Sequence, residues 1–110
     1  MFRHVTVLRE EAVALLNVRP GGIYVDCTLG GAGHSELIAA RLGDAGRLIA
    51  FDQDERAIAA AEAKLARYSE RVTLVHDNFR RLAARLRELG VGRVDGVLFD
   101  LGVSSPQLDE

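Results

Sequence analysis

Cysteine is almost missing from this 110-residue chain, and the single copy, Cys27, excludes an internal disulfide. It falls inside an apolar run, where a thiol behaves as a small buried hydrophobe more often than as a nucleophile. There is no apolar stretch of membrane-spanning length and no signal-peptide core at the N-terminus, so the expected setting is cytoplasmic with no membrane partner. An excess of basic residues is also missing: 14 Lys and Arg stand against 16 Asp and Glu, a formal net charge of −2. A surface that grips nucleic acid by neutralising phosphates needs the opposite balance, so a nucleic-acid substrate would have to be held mainly by groups elsewhere. Low-complexity tracts, internal repeats and linkers are absent. With 48% apolar and 27% charged residues the chain should fold, as one domain with a modest core. His4 and His76 have no companions at metal-ligand spacing, and no metal site is expected.

The most informative stretch runs from Tyr24 to His34, Y-V-D-C-T-L-G-G-A-G-H. It reads as a buried strand entering a glycine-rich loop that opens a helix. About twenty residues on, the apolar run Leu48-Ile49-Ala50-Phe51 ends on Asp52. In a parallel α/β sheet this spacing sets a tight loop against a nucleoside cofactor and an acid against its ribose. Read alone, Gly30, Gly31 and Gly33 would make a mere strand-to-helix turn, and Asp52 a helix cap in competition with Asp54. Taken together, cofactor binding is the stronger reading.

The periodicity predicts a helix from about Val7 to Asn17, stopped by Pro20-Gly21-Gly22. Strands follow at 23–27, 47–51, 72–76 and 94–101. Helices are expected at 34–42, from Asp54 as N-cap to about Tyr68, and along Phe79, Leu82, Leu86 and Leu89. Residues 102–106 read as a turn. Strict alternation of strand and helix implies right-handed crossovers and a parallel sheet of about four strands with helices on both faces. Such a sheet normally continues, so the expected fold is the first half of a larger one, with the outer edge of the fourth strand open. An open apolar edge invites pairing, and a homodimer through that strand is expected.

The candidate cofactor groups fall at the carboxyl ends of the strands. A nicotinamide dinucleotide calls for G-x-G-x-x-G, whereas this loop offers G-G-A-G. Asp26, just before the loop, would repel a diphosphate but would favour the cationic amino-acid end of S-adenosylmethionine. Asp52 would then accept from the ribose hydroxyls, and Phe79 would lie against adenine, unless it merely packs in the stripe of its own helix. Arg80, Arg81, Arg85 and Arg87 form a basic cluster that reads either as a solvated helix face or as a contact for RNA phosphate.

Three strings carry a more specific likeness: His4 to Leu8, Tyr24 to Ser35, and Asp95 to Asp109 with its D-L-G-V-S-S-P-Q-L-D. They resemble the RsmH (MraW) family of bacterial S-adenosylmethionine-dependent methyltransferases, which act on N4 of a cytidine in small-subunit ribosomal RNA. The likeness spans essentially the whole chain. It implies a class I methyltransferase (Rossmann-like) sheet and a cofactor site at Ala32, Gly33, His34, Asp52, Phe79, Asp100 and Gln107. Ala32 stands where the family usually has the first glycine of a G-G-H triplet. Asp100 is the candidate catalytic acceptor for the exocyclic amine, with a plain cofactor contact as the alternative role. The family also continues past Glu110, with a substrate-recognition insertion and further strands that would hold the RNA. Residues 1–110 are therefore expected to be the cofactor-binding part, binding cofactor without turnover. The alternatives are a non-catalytic nucleoside-binding or scaffold half-domain and, more weakly, a nicotinamide dehydrogenase fragment.

Overall fold

The computed structural model describes residues 13–14, 16–27, 33–99 and, as backbone, 102–104. Its elements are β1 (Ile23–Asp26), α1 (Gly33–Leu42), β2 (Arg47–Asp52), α2 (Glu55–Lys64), β3 (Val72–His76), α3 (Leu82–Glu88), β4 (Gly96–Phe99) and β5 (Gly102–Ser104). The five strands form one sheet in the order β3-β2-β1-β4-β5. β1 pairs in parallel with both β2 and β4, and β2 with β3, while β5 lies antiparallel on β4.

Each helix forms for local reasons. Asp54 is extended and accepts from the Arg56 N–H, which caps α2; Glu55 and Lys64 then complement the dipole at its two ends. α2 is shorter than expected: it stops at Lys64 and gives way to a 3₁₀ turn over Ala66–Tyr68. The predicted third helix is likewise split, into a 3₁₀ turn (Phe79–Arg81) capped by Asn78 and then α3. α3 ends in a Schellman arrangement. Gly90 takes φ +76°, its N–H reaches the Arg87 carbonyl, and the Val91 N–H reaches that of Leu86. Val91 and Leu86 then pack in one apolar cluster, as that motif favours.

Chain order decides which face each helix covers. From β1 to β3 the chain steps one way across the sheet; from β3 to β4 it doubles back beyond β1. Right-handed crossovers therefore put α1 and α3 on opposite faces. Tyr24, Leu48 and Leu98 meet Ile38, Ala39 and Leu42 of α1 on one face, with Val13 and Leu16. Val25, Ile49, Phe51 and Val75 meet Leu82, Leu86 and Leu89 on the other. Each large aliphatic side chain fully buried here contributes about 1.5–3 kcal/mol of transfer free energy.

Two expectations are corrected at the end of the chain. Strand four starts later than expected, at Gly96, and residues 102–104, read as part of a turn, form β5 instead. Because β5 pairs along Val97, Leu98 and Phe99, the edge of β4 is covered. The homodimer expected through an open fourth strand loses its premise. The predicted first helix lies largely outside the described residues; its end is marked by Asn17, whose φ of 55° halts the helix before Pro20 is reached.

Candidate functional site

The reversal of strand order falls between β1 and β4, and open α/β sheets bind ligands in the crevice at the carboxyl ends beside such a reversal. Three acids and one aromatic ring mark that end of the sheet.

Asp26 closes β1 and is only 2% exposed. Its Oδ2 accepts a 2.7 Å hydrogen bond from Ser35 Oγ in the first turn of α1, and Ser35 is itself buried. A buried carboxylate without donors would cost several kcal/mol, so this bond is part of what keeps Asp26 in place. Gly33 and His34, which open α1 beside it, are half-buried.

Asp52 closes β2 and is 8% exposed. The competition between Asp52 and Asp54 for the cap of α2 resolves cleanly. Asp54 takes the cap, and Asp52 Oδ1 instead accepts the Asp54 N–H at 2.9 Å. Asp52 is thereby left at the strand end with its carboxylate oriented by backbone.

The loops after β2 and β3 are laced together. The Asp77 N–H donates to the Asp52 carbonyl at 3.0 Å, His76 Nε2 sits 2.9 Å from the Gln53 carbonyl, and Asn78 Nδ2 donates to Gln53 Oε1 at 3.1 Å. Asn78 Oδ1 accepts the Arg80 N–H and fixes the turn that carries Phe79. Asp77 Oδ1 accepts the Asn78 N–H, while Oδ2 meets Arg81 Nε at 3.0 Å and Arg85 Nε at 3.5 Å. Asp77 is thus tied to α3.

Phe79 departs from the apolar stripe. Leu82, Leu86 and Leu89 pack on the sheet, but Phe79 is 52% exposed, the only large hydrophobe so exposed among the described residues. Its ring meets Phe99, at the end of β4, edge-on at a centroid distance of 6.5 Å. An aromatic face left open beside a crevice suits a planar ligand.

Of the sequence-predicted site residues, Gly33, His34, Asp52 and Phe79 gather at the carboxyl ends of β1, β2 and β3. Ala32, Asp100 and Gln107 lie outside the described residues, as do Gly30 and Gly31. Ser35, Gln53, Asn78 and Phe99 were not singled out from sequence. Asn78 had a usable signal, a cap-forming residue just before an apolar helical run; the contacts of Ser35, Gln53 and Phe99 are tertiary and leave none.

A sheet whose parallel strands run β3-β2-β1-β4, reversing at β1/β4 and carrying helices on both faces, is a class I methyltransferase-type (Rossmann-like) fold. Two solved structures share it. A Clostridium thermocellum protein named as a candidate rRNA-methylase matches with a TM-score of 0.72 at 24% identity, over 93% of this chain and 59% of that one. A S-adenosylmethionine-dependent O-methyltransferase from Thermotoga maritima matches with a TM-score of 0.66 at 22% identity, over 84% of this chain and 33% of that one. By sequence, the model of the MraW methylase family matches residues 1–110. The ribosomal RNA small subunit methyltransferase H of Brevibacillus brevis is 66% identical over 99% of this chain and 35% of its own length. That of a Paenibacillus species is 62% identical over 100% of this chain and 37% of its own. The chain belongs to the MraW methylase family, and it spans about a third of the length of these relatives.

Proposed function

We propose that residues 1–110 are the cofactor-binding part of a S-adenosylmethionine-dependent enzyme that methylates N4 of a cytidine in small-subunit ribosomal RNA. The observation that carries the cofactor is the pairing of a buried, backbone-oriented Asp52 with a half-exposed Phe79, joined through the Asp52–Asp77 backbone bond and the Asn78 turn. A strand-end carboxylate suits a ribose diol, and an open aromatic face suits adenine. Asp26, buried next to the start of α1, favours a cationic amino-acid end over a diphosphate. The RNA substrate is supported by the names of the relatives, ribosomal RNA small subunit methyltransferase H.

In this reading Ala32, Gly33, His34, Asp52, Phe79, Asp100 and Gln107 hold the cofactor. When bound, it supplies a methyl group already activated by a sulfonium. The residues of the chain then have to position and to accept. The N4 lone pair of cytosine is delocalised into its ring, and an acceptor at the amine localises it and takes up developing positive charge. Asp100 is assigned that role, with the base presented out of its stack. Holding the nucleophile in line with the methyl group is the larger part of the acceleration.

Calorimetry with S-adenosylmethionine and with NAD tests the cofactor: the first should bind and the second should not, and the reverse order would overturn the proposal. Transfer of labelled methyl to small-subunit RNA tests the reaction. The chain alone should bind cofactor without transfer. Completed with the remainder of the Brevibacillus brevis relative, it should label a cytidine on N4. Loss of that transfer on Asp100→Ala is expected, and near-normal turnover would remove the assigned role.

A further inference from the structure

The net charge of −2 conceals a segregation of charge. Between Phe79 and Arg93 stand five arginines and one acid, Glu88, whereas the rest of the chain has nine basic residues against fifteen acidic ones. Arg93 pairs with Asp95 at 3.2 Å, and the other four arginines divide into two pairs. Arg81 and Arg85 are engaged by Asp77, and Arg85 also by Glu88 at 3.0 Å. Arg80 and Arg87 are exposed and, among the described residues, have no carboxylate within ion-pairing distance. They lie two helical turns apart, so they share a side of the 3₁₀–α3 segment, and the residues between them on that side are the small Ala83 and Ala84. Leu82, Leu86 and Leu89 hold the opposite side to the sheet.

A solvated helix face needs no such sorting, and the two kinds of arginine differ in what they would do. The Asp77 pair fixes the loop that carries Phe79. The free pair offers two cationic forks, about 10 Å apart along the helix, starting one residue from the ring that borders the crevice. We propose that Arg80 and Arg87 form a track for the phosphodiester backbone of the RNA substrate, leading a strand toward the carboxyl-end crevice. This rests on the RNA-methylating reading above. Of the two readings the sequence left open for this basic cluster, it takes the RNA contact and narrows it from four arginines to two, on a local basic face in a molecule that is acidic overall.

The test is a salt titration of RNA binding by the 110-residue chain, using fluorescence anisotropy with a labelled single-stranded fragment of small-subunit RNA. If each arginine neutralises one phosphate, Arg80→Ala/Arg87→Ala should lower the slope of log K against log salt by about 1.4 and weaken binding roughly tenfold near 0.15 M salt. Arg80→Lys/Arg87→Lys should keep most of the slope, because a point charge suffices for phosphate. Cofactor affinity, measured by calorimetry on the same proteins, should stay within about twofold of the parent. An unchanged slope in the alanine variant, with cofactor bound normally, overturns the track. A lysine variant as weak as the alanine one also overturns it, since the arginines would then act by shape and not by charge. Failure of the parent to bind S-adenosylmethionine is a separate result, and strikes the proposed function instead.

Discussion

The two ends of the sheet solve the same problem, polar groups at strand termini, in different ways. At the amino ends the groups are spent on structure. Asp95 Oδ2 accepts the Ile23 N–H at 2.8 Å while its own N–H donates to the Ile23 carbonyl, clamping β4 to β1. The Tyr24 hydroxyl accepts the Arg19 N–H, the Gly21 N–H reaches the Leu42 carbonyl, and the Arg47 N–H reaches that of Gly22. At the carboxyl ends the acids are held by neighbours in the adjoining loops and helices, and a phenylalanine is left half in solvent. The amino end is closed by backbone pairing; the carboxyl end is arranged around a space. Substitutions at the first should register in stability, and at the second in ligand affinity.

The largest effect should come from the core beneath the amino end. Leu48, the second residue of β2, is fully buried in the cluster of Tyr24, Ile38 and Leu98. Leu48→Ala should cost about 2–5 kcal/mol in chemical unfolding and weaken cofactor binding only in proportion to the unfolded fraction. Intact stability would mean that this face is less tightly packed than its burial states.

Asp52→Asn separates the ends more sharply. The amide oxygen still accepts the Asp54 N–H, so stability should change by less than about 1 kcal/mol. What is removed is a charged acceptor for the ribose, and S-adenosylmethionine affinity should fall by about tenfold to a hundredfold in calorimetry. Equal affinity with equal stability would take Asp52 out of the site. Phe79→Ala should act in the same sense, more weakly. With half its ring exposed, its loss should leave unfolding within about 0.5–1 kcal/mol while cofactor affinity drops roughly three- to tenfold. A large stability loss with unchanged affinity would make it a packing residue after all.

The same contrast explains what could be read from sequence. The alternation of elements, the helix on each face and the glycine loop against Asp52 are local or near-local signals, and β1, β2, β3 and their helices lie within a few residues of where periodicity puts them. The family likeness, carried by the strings around Gly33 and Asp100, is matched along the whole chain. Hydrogen-bond competition was not readable: neither the break at Lys64 nor the 3₁₀ start of α3 alters the hydrophobic period. Phe79 fits a helical stripe by spacing, yet it sits in the 3₁₀ turn before α3, where the tighter winding rotates it off the packed side. The pairing of β5 on β4 was missed for a related reason. Gly102, Val103 and Ser104 fall in a stretch that reads as turn chemistry, and only the tertiary contact with Val97 to Phe99 makes them a strand.

The smallest effect, and the cleanest check on the amino end, belongs to Asp95. The Ile23 N–H above all holds its carboxyl below the usual carboxylate range; burial pushes the other way, and the Arg93 guanidinium at 3.2 Å adds to the lowering. A carboxyl whose pKa is lower in the folded than in the unfolded chain binds fewer protons when folded. Its stabilisation is therefore complete above the unfolded value of about 3.9 and is lost as the pH falls from there through the folded value. Asp95→Asn keeps an acceptor for Ile23 but removes the charge, and should cost about 1 kcal/mol near neutral pH. Urea unfolding followed from pH 6 to pH 3 should show parent and variant converging below about pH 4, with S-adenosylmethionine affinity at neutral pH the same in both. A gap that stays constant down to pH 3 would mean that the carboxylate charge contributes nothing to the clamp, and a loss of cofactor affinity would mean that the two ends of the sheet are not independent.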